Sequence, residues 1–334
     1  MYVSEGSLKT LDGTVLNSSW GDTRTYYAVI GNEIFFANGL NTGRWDNGYK
    51  VWGIPNPPRQ PRLDALPTGG LYGGTYQVAI TWRDADGIES GTGQGEVIEV
   101  SEGGGIMLSD FPSPPPFVSY VSVYVTSHNG AEFYLVSDYP AWTTTVVIEE
   151  GTRSIPLENQ YQGPMPPVTH LCVQGGRIYG AYGSTLYVTE PFNPHITSLN
   201  GVSFESNITA VLPVTDGVYV VTEGRAYFIQ YENEVPQRRE LAYHGAVPGA
   251  VAFDPINPGV LWLGQKGLMR GLPGGENQNL TEHVAMPKAE QGTMTVREID
   301  GERFALISMW GCSTNPLVSS EWTTREIARK GNPF

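Results

Sequence analysis

The chain has 334 residues, 40% of them apolar, with 41 glycines, 25 prolines and a formal net charge of −14. This composition supports a packed core with many turns and favours strands over helices. The acidic balance argues against ordinary nucleic-acid binding. No apolar run of about 18 residues is present to span a membrane, and the opening MYVSEGSLKTLDG lacks the basic and apolar segments of a signal peptide.

Taken in order, the first predicted hairpin is IGNEIFFANG, which reverses at Gly31. A proline-rich stretch follows, IPNPPRQPRLDALP, and a second one, QGPMPP, ends at position 167. Proline cannot continue a ladder, so both read as linkers. Between them lie TYQVAITWRDADGIES, GEVIEV, GGIMLSDF, VSYVSVYVTSHNGAEFYLVSDY and TTTVVIEE. Six or seven short strands at this spacing predict an immunoglobulin-like or fibronectin-III-like β-sandwich, without the Cys-Trp-Cys pattern of antibody domains.

Beyond the second linker, hairpin signatures recur. QGGRIYGAYGSTLYVTE, TDGVYVVTEGRAYFIQ, NPGVLWLGQKGLMRGL and IDGERFALISMWG each carry a glycine-led turn, at Gly176, Gly217, Gly259 and Gly301, spaced by 41 or 42 residues. A period in the low forties with several strands per repeat predicts propeller blades. The interval from Gly31 to Gly176 is 145 residues, one period plus a module of about 100 residues. The sequence therefore predicts an all-β protein, a small β-propeller of about five blades with an inserted sandwich. Residues 1–57 form the first part of the propeller, 58–166 the insert and 167–334 the remainder. SSEWTTREIARK near the C-terminus fits a closing strand or a short helix.

The chemistry-bearing residues give weak signals. Asp84-Ala85-Asp86-Gly87 resembles the start of a calcium loop, but the spacing fails and a hairpin turn explains it. His128, His170, His195, His244 and His283 lack metal-ligand spacing. The carboxylates of Glu33, Asp216, Asp254 and Asp300 fall in turns, where they cap backbone amides, and Glu190 and Glu205 flank loops. Cys172 and Cys312 read as buried free thiols. SEGGGIML leads into a strand, so it makes no phosphate cradle, and the sequons NITA and NLTE carry no weight without a secretory signal. The rings of Trp20, Tyr26, Tyr27, Trp45, Trp52, Tyr182, Trp262 and Trp310 read as packing between blades, with sugar binding as the other use. No catalytic, cofactor-binding or metal-binding residue is assigned, and a non-enzymatic protein is expected.

The segment TYYAVIGNEIFFANGLNTGRWDNGYKVWGIPNPP, followed by GGTYQVAITWRDADGIESGTG, resembles virion structural proteins of tailed bacteriophages, of the tail-nozzle or tail-tip kind. The resemblance implies a tail component, made in the bacterial host cytoplasm and located in the virion. It implies a ring of copies of the chain, joined to other tail proteins and touching host surface glycan, through which DNA passes without specific binding during ejection. It implies no cofactor. The alternatives are a carbohydrate-binding or glycoside-cleaving propeller, or a host-attachment adhesin.

Overall fold

A computed structural model describes residues 1–150, 154–232, 235–242, 245–254, 259–264, 266–282 and 289–312. The described part is all-β, with no α-helix. It divides into two compact units, one of residues 1–42, 167–192 and 201–334, the other of residues 43–166 and 193–200.

In the first unit, glycine-led turns organise a series of antiparallel hairpins and meanders. Strands Thr169–Gln174 and Arg177–Tyr182 reverse through Gly175 and Gly176, at φ 58° and 74°. Consecutive positive φ values are the mirror-image turn whose twist matches paired strands, and glycine adopts them without steric cost. Thr185–Glu190 continues that meander. Next come the sheets Ile208–Val214, Gly217–Thr222, Ala226–Glu232, Val235–Ala242 and Ala246–Phe253, Val260–Gly264, Gly267–Gly271, Asn277–Asn279. The last is the two-stranded Gln291–Ile299 and Glu302–Trp310.

Strand Gly217–Thr222 is buried throughout, because its alternating side chains feed two cores. Val218 and Val220 pack with Tyr179, Leu186 and Ile208. Tyr219 and Val221 pack with Phe228, Val260 and Trp262. A strand buried on both faces reads as an unbroken apolar run, and VYVV is that run. The Tyr219 ring lies 5.5 Å from Trp262, and its hydroxyl is 2.5 Å from the Leu272 carbonyl and 2.6 Å from that of Glu276.

In the second unit, a three-stranded sheet (Arg62–Leu71, Gly104–Ser109, Thr145–Ile148) shares a core with a four-stranded one (Gly74–Asp84, Glu96–Val100, Val118–Thr126, Phe133–Pro140). Ile80, Trp82, Val121 and Val123 from the larger sheet meet Ile106, Leu108, Val146 and Ile148 from the smaller. The strand period of two sends these residues to the core and Thr81, Arg83, Ser122 and Tyr124 to the opposite face.

The closed five-bladed propeller is not the architecture found. The hairpins recur at the predicted glycines, but among the described residues every sheet is open, with two free ends to its strand order. Among the described residues the final sheet has two strands, and neither hydrogen-bonds with the first sheets of the chain. The period marks the first hairpin of each successive sheet. Whether a row of sheets closes depends on how neighbouring sheets are turned against one another, which local spacing does not encode. The C-terminal segment SSEWTTREIARK lies outside the described residues.

Candidate functional site

A dense set of charged side chains surrounds the Asp84–Gly87 turn of the second unit. The turn is local chemistry. Asp84 Oδ1 accepts hydrogen bonds from the amides of Asp86 (3.0 Å) and Ile88 (2.9 Å), and Gly87 takes φ 86°. The chain then returns along its own strand, so that Glu89 faces Arg83 and the Ser90 amide donates to the Trp82 carbonyl at 2.8 Å.

On one side of the turn, three carboxylates meet two cations. Arg44 is 3% exposed, with guanidinium nitrogens 3.4 Å from Asp86 and 3.7 Å from both Asp46 and Asp84. Its Nε donates to the Val51 carbonyl at 3.2 Å. The Lys50 ammonium bonds Asp86 at 2.7 Å and Asp46 at 3.0 Å. The hydrogen bond from Lys50 holds the Asp86 carboxyl below its ordinary pKa, and the bonds to Asp86 and Asp46 raise that of Lys50. The aspartates that suggested calcium are thus engaged by a buried arginine and a lysine.

On the other side lies the outer face of the four-stranded sheet. Arg83 bridges Glu89 (2.8 Å) and Asp138 (3.1 Å). Tyr124 donates to Glu89 at 2.7 Å, Thr81 donates to the same oxygen, and Ser122 donates to Asp138 at 2.6 Å. Burial, reinforced by the Glu89 charge, raises the Tyr124 pKa, so the phenol remains a donor. Beside this network the surface becomes aromatic. Tyr120 stands opposite both Arg83 and Pro140 in the strand register. Trp142 follows in the turn where the Thr143 amide bonds the Pro140 carbonyl, and the Ala141 amide bonds the Ser119 carbonyl. Phe117, Tyr120 and Trp142 are 41%, 44% and 81% exposed. Three exposed rings at one end of the paired strands, Tyr120 in its strand, Phe117 and Trp142 in the adjoining turns, edged by fixed charges, have the composition of a protein-contact surface, where aromatics and arginine are enriched.

The other residues singled out by the sequence do not converge. His128 contacts Asn129 and the rings of Tyr72 and Tyr76. His170 packs on Tyr26 at 4.8 Å with φ 54°, and burial, with the Arg24 charge nearby, pushes its pKa down to about 4. His195 sits in strand Asn193–Ser198, while His244 and His283 lie outside the described residues. Asp254 is held by Arg303 (2.9 and 3.2 Å) and Arg270 (3.7 Å), and Asp216 accepts from the Gly274 amide at 2.7 Å. Glu205 accepts from Tyr227 (2.6 Å) and Thr222 (2.7 Å). Burial works against its charge, but these hydroxyls outweigh burial and lower its pKa. Glu190 lies 3.8 Å from Arg177, Glu33 opens a strand, and Asp300 occupies a turn at φ 54°. Among the described residues, no three His, Cys, Asp or Glu side chains gather as a ligand set. Trp20, Trp52 and Trp262 are buried in cores, whereas Tyr182 and Trp310 are exposed. Cys172 is buried, but Cys312 is exposed, contrary to expectation.

The aromatic corner was not anticipated. Alternation marks positions 81, 83, 122 and 124 as one face, but only strand pairing sets 120 beside 83 and 140.

No protein-family model matches the chain, and no curated protein matches it. Similar solved structures include an auxiliary nutrient binding protein from Bacteroides thetaiotaomicron, at 10% identity and TM-score 0.32, covering 78% of this chain and 66% of that one. The extracellular domain of a hybrid two component system from the same organism has 12% identity and TM-score 0.29, covering 84% and 36%. PorZ, a surface component of the type-IX secretion system of Porphyromonas gingivalis, has 13% identity and TM-score 0.29, covering 90% and 32%. The chain thus spans less than two thirds of each of these proteins. Likeness at this level assigns no function. Among the described residues the sheets do not close. The expected tail-nozzle ring around a DNA conduit is therefore set aside, together with the carbohydrate-propeller and adhesin alternatives.

Proposed function

We propose that the protein is a non-enzymatic assembly component that docks polypeptide, copies of itself included, through the aromatic corner of its second unit. The observation that carries this reading is the exposure of Phe117, Tyr120 and Trp142 together at one end of the four-stranded sheet. The neighbouring charges support it. Arg83 is committed to Glu89 and Asp138, and Tyr124 to Glu89, so the network stiffens the sheet face and leaves the rings to make contact. Rigid aromatic side chains lose little entropy on docking, and a tryptophan at an interface hot spot is worth about 2 kcal/mol or more on truncation.

The test is sedimentation of the full chain over a hundredfold concentration range, with oxidative footprinting of Trp142. Self-association with protection of Trp142, weakened at least tenfold in Trp142→Ala, is the expected result. Equal labelling of Trp142 at all concentrations, with unchanged sedimentation of the variant, would overturn the reading.

A further inference from the structure

We propose that the outer edge of strand Glu302–Trp310, in the first unit, pairs antiparallel with the same strand of a second copy. This rests on the assembly reading above but uses a different surface: growth past a dimer requires two distinct contacts on each subunit.

Three observations carry it. The first is edge design. Open edges invite pairing, and proteins blunt them with charge or brevity. The edge strand Val235–Ala242 carries exposed Arg238, Arg239 and Glu240, and the edge strand Asn277–Asn279 has three residues. Glu302–Trp310 has nine, reads ERFALISMW, and confines its charges to the first two positions. Among the described residues its only ladder partner is Gln291–Ile299.

The second is the division of its faces. Ala305, Ile307 and Met309 pack into the core with Leu261 and Leu263. The alternate positions bring Leu306 and Trp310 to the surface, 44% and 54% exposed. A shallow cavity of about 340 Å³ lies on this hairpin, lined by Thr293, Met294, Thr295, Leu306, Ile307 and Ser308.

The third is self-complementarity. Antiparallel pairing about a two-fold axis at Leu306 sets Leu306 against itself, Phe304 against Ser308 and Glu302 against Trp310. On the other face it sets Ala305 against Ile307 and Arg303 against Met309. No like charges meet, apolar side chains meet at the axis, and the main chain supplies a ladder about 30 Å long at 3.4 Å per residue. The same strand carries both halves of the contact, as an isologous interface requires. The occupant is therefore a second copy of this chain.

The experiment compares full-length wild type, Leu306→Lys, Trp142→Ala and the double variant by sedimentation, with hydrogen exchange of the amides of 302–310. In Leu306→Lys, lysines face each other across the axis, and self-association through this edge should weaken at least tenfold, with the thermal midpoint unchanged at concentrations where both proteins are monomeric. The edge amides should be protected in the wild-type assembly and exchange at least tenfold faster in the variant. Trp142→Ala should retain the edge dimer, and the double variant should be monomeric. Sedimentation unchanged by Leu306→Lys would overturn the edge contact, whatever Trp142→Ala does. Edge amides equally protected in a monomeric variant would overturn it too, because the edge would then be covered within one chain. Loss of the effect of Trp142→Ala alone would refute the aromatic corner and leave the edge standing.

Discussion

Replacing Arg44 should destabilise the protein far more than replacing Lys50, although Lys50 makes the shorter ion pairs. The Lys50 contacts measure 2.7 and 3.0 Å, against 3.4 to 3.7 Å for Arg44. Exposure decides otherwise. The Lys50 side chain is 34% exposed and its partners Asp46 and Asp86 are 32% and 48% exposed, so solvent and salt screen those pairs to roughly 1 kcal/mol or less. Arg44 is buried, as is most of Asp84, and removing one member of a buried pair costs about 3–5 kcal/mol. Because Asp46 and Asp86 can still turn to water, the lower end applies, about 3 kcal/mol for Arg44→Met, against less than about 1 kcal/mol for Lys50→Met. Urea unfolding followed by tryptophan fluorescence measures both, in low salt and in high salt. The Lys50→Met loss should fade with salt while the Arg44→Met loss persists. Equal losses, or a larger one for Lys50→Met, would refute the argument that burial outranks distance in this cluster.

Three further outcomes are expected. Adding a Cβ at Gly91 would place it 1.9 Å from the Gln162 carbonyl oxygen, a backbone atom, so Gly91→Ala should cost about 3 kcal/mol in chemical denaturation. Burial pushes the Cys172 thiol up, whereas Cys312 is exposed. A thiol reagent should therefore titrate one cysteine in the native protein and two in denaturant. The His170 pKa is depressed from 6.5 to about 4, so the unfolded chain binds a proton before the folded one does. Its contribution to stability is full above about pH 6.5 and is lost as pH falls toward 4. His170→Asn, which tolerates the positive φ, should flatten that part of the pH–stability profile relative to wild type.

Much of the molecule could be read locally. VYVV at 218–221 and ALISMW at 305–310 announced strands by composition, and Gly176 and Gly301 announced turns because paired strands reverse most easily at positive φ. The Asp84–Gly87 turn was also legible, since an aspartate that bonds amides two and four residues ahead needs no distant partner. What surrounds that turn was not. Arg44 reaches it from 40 residues upstream, Asp138 reaches Arg83 from 55 residues downstream, and nothing in either neighbourhood marks the pairing.

The sequence by itself determined the all-β class, the recurring hairpins and the alternation that sorts each strand into a buried and an exposed face, because these depend on residues within about one strand length of each other. Only the tertiary structure decided that the sheets remain open, that the aspartates of the turn are spent on a buried arginine, and that Phe117, Tyr120 and Trp142 share one corner. Each of these depends on which distant strands pair and how sheets are turned against their neighbours. Many long-range contacts acting together set that geometry, and no local spacing records it.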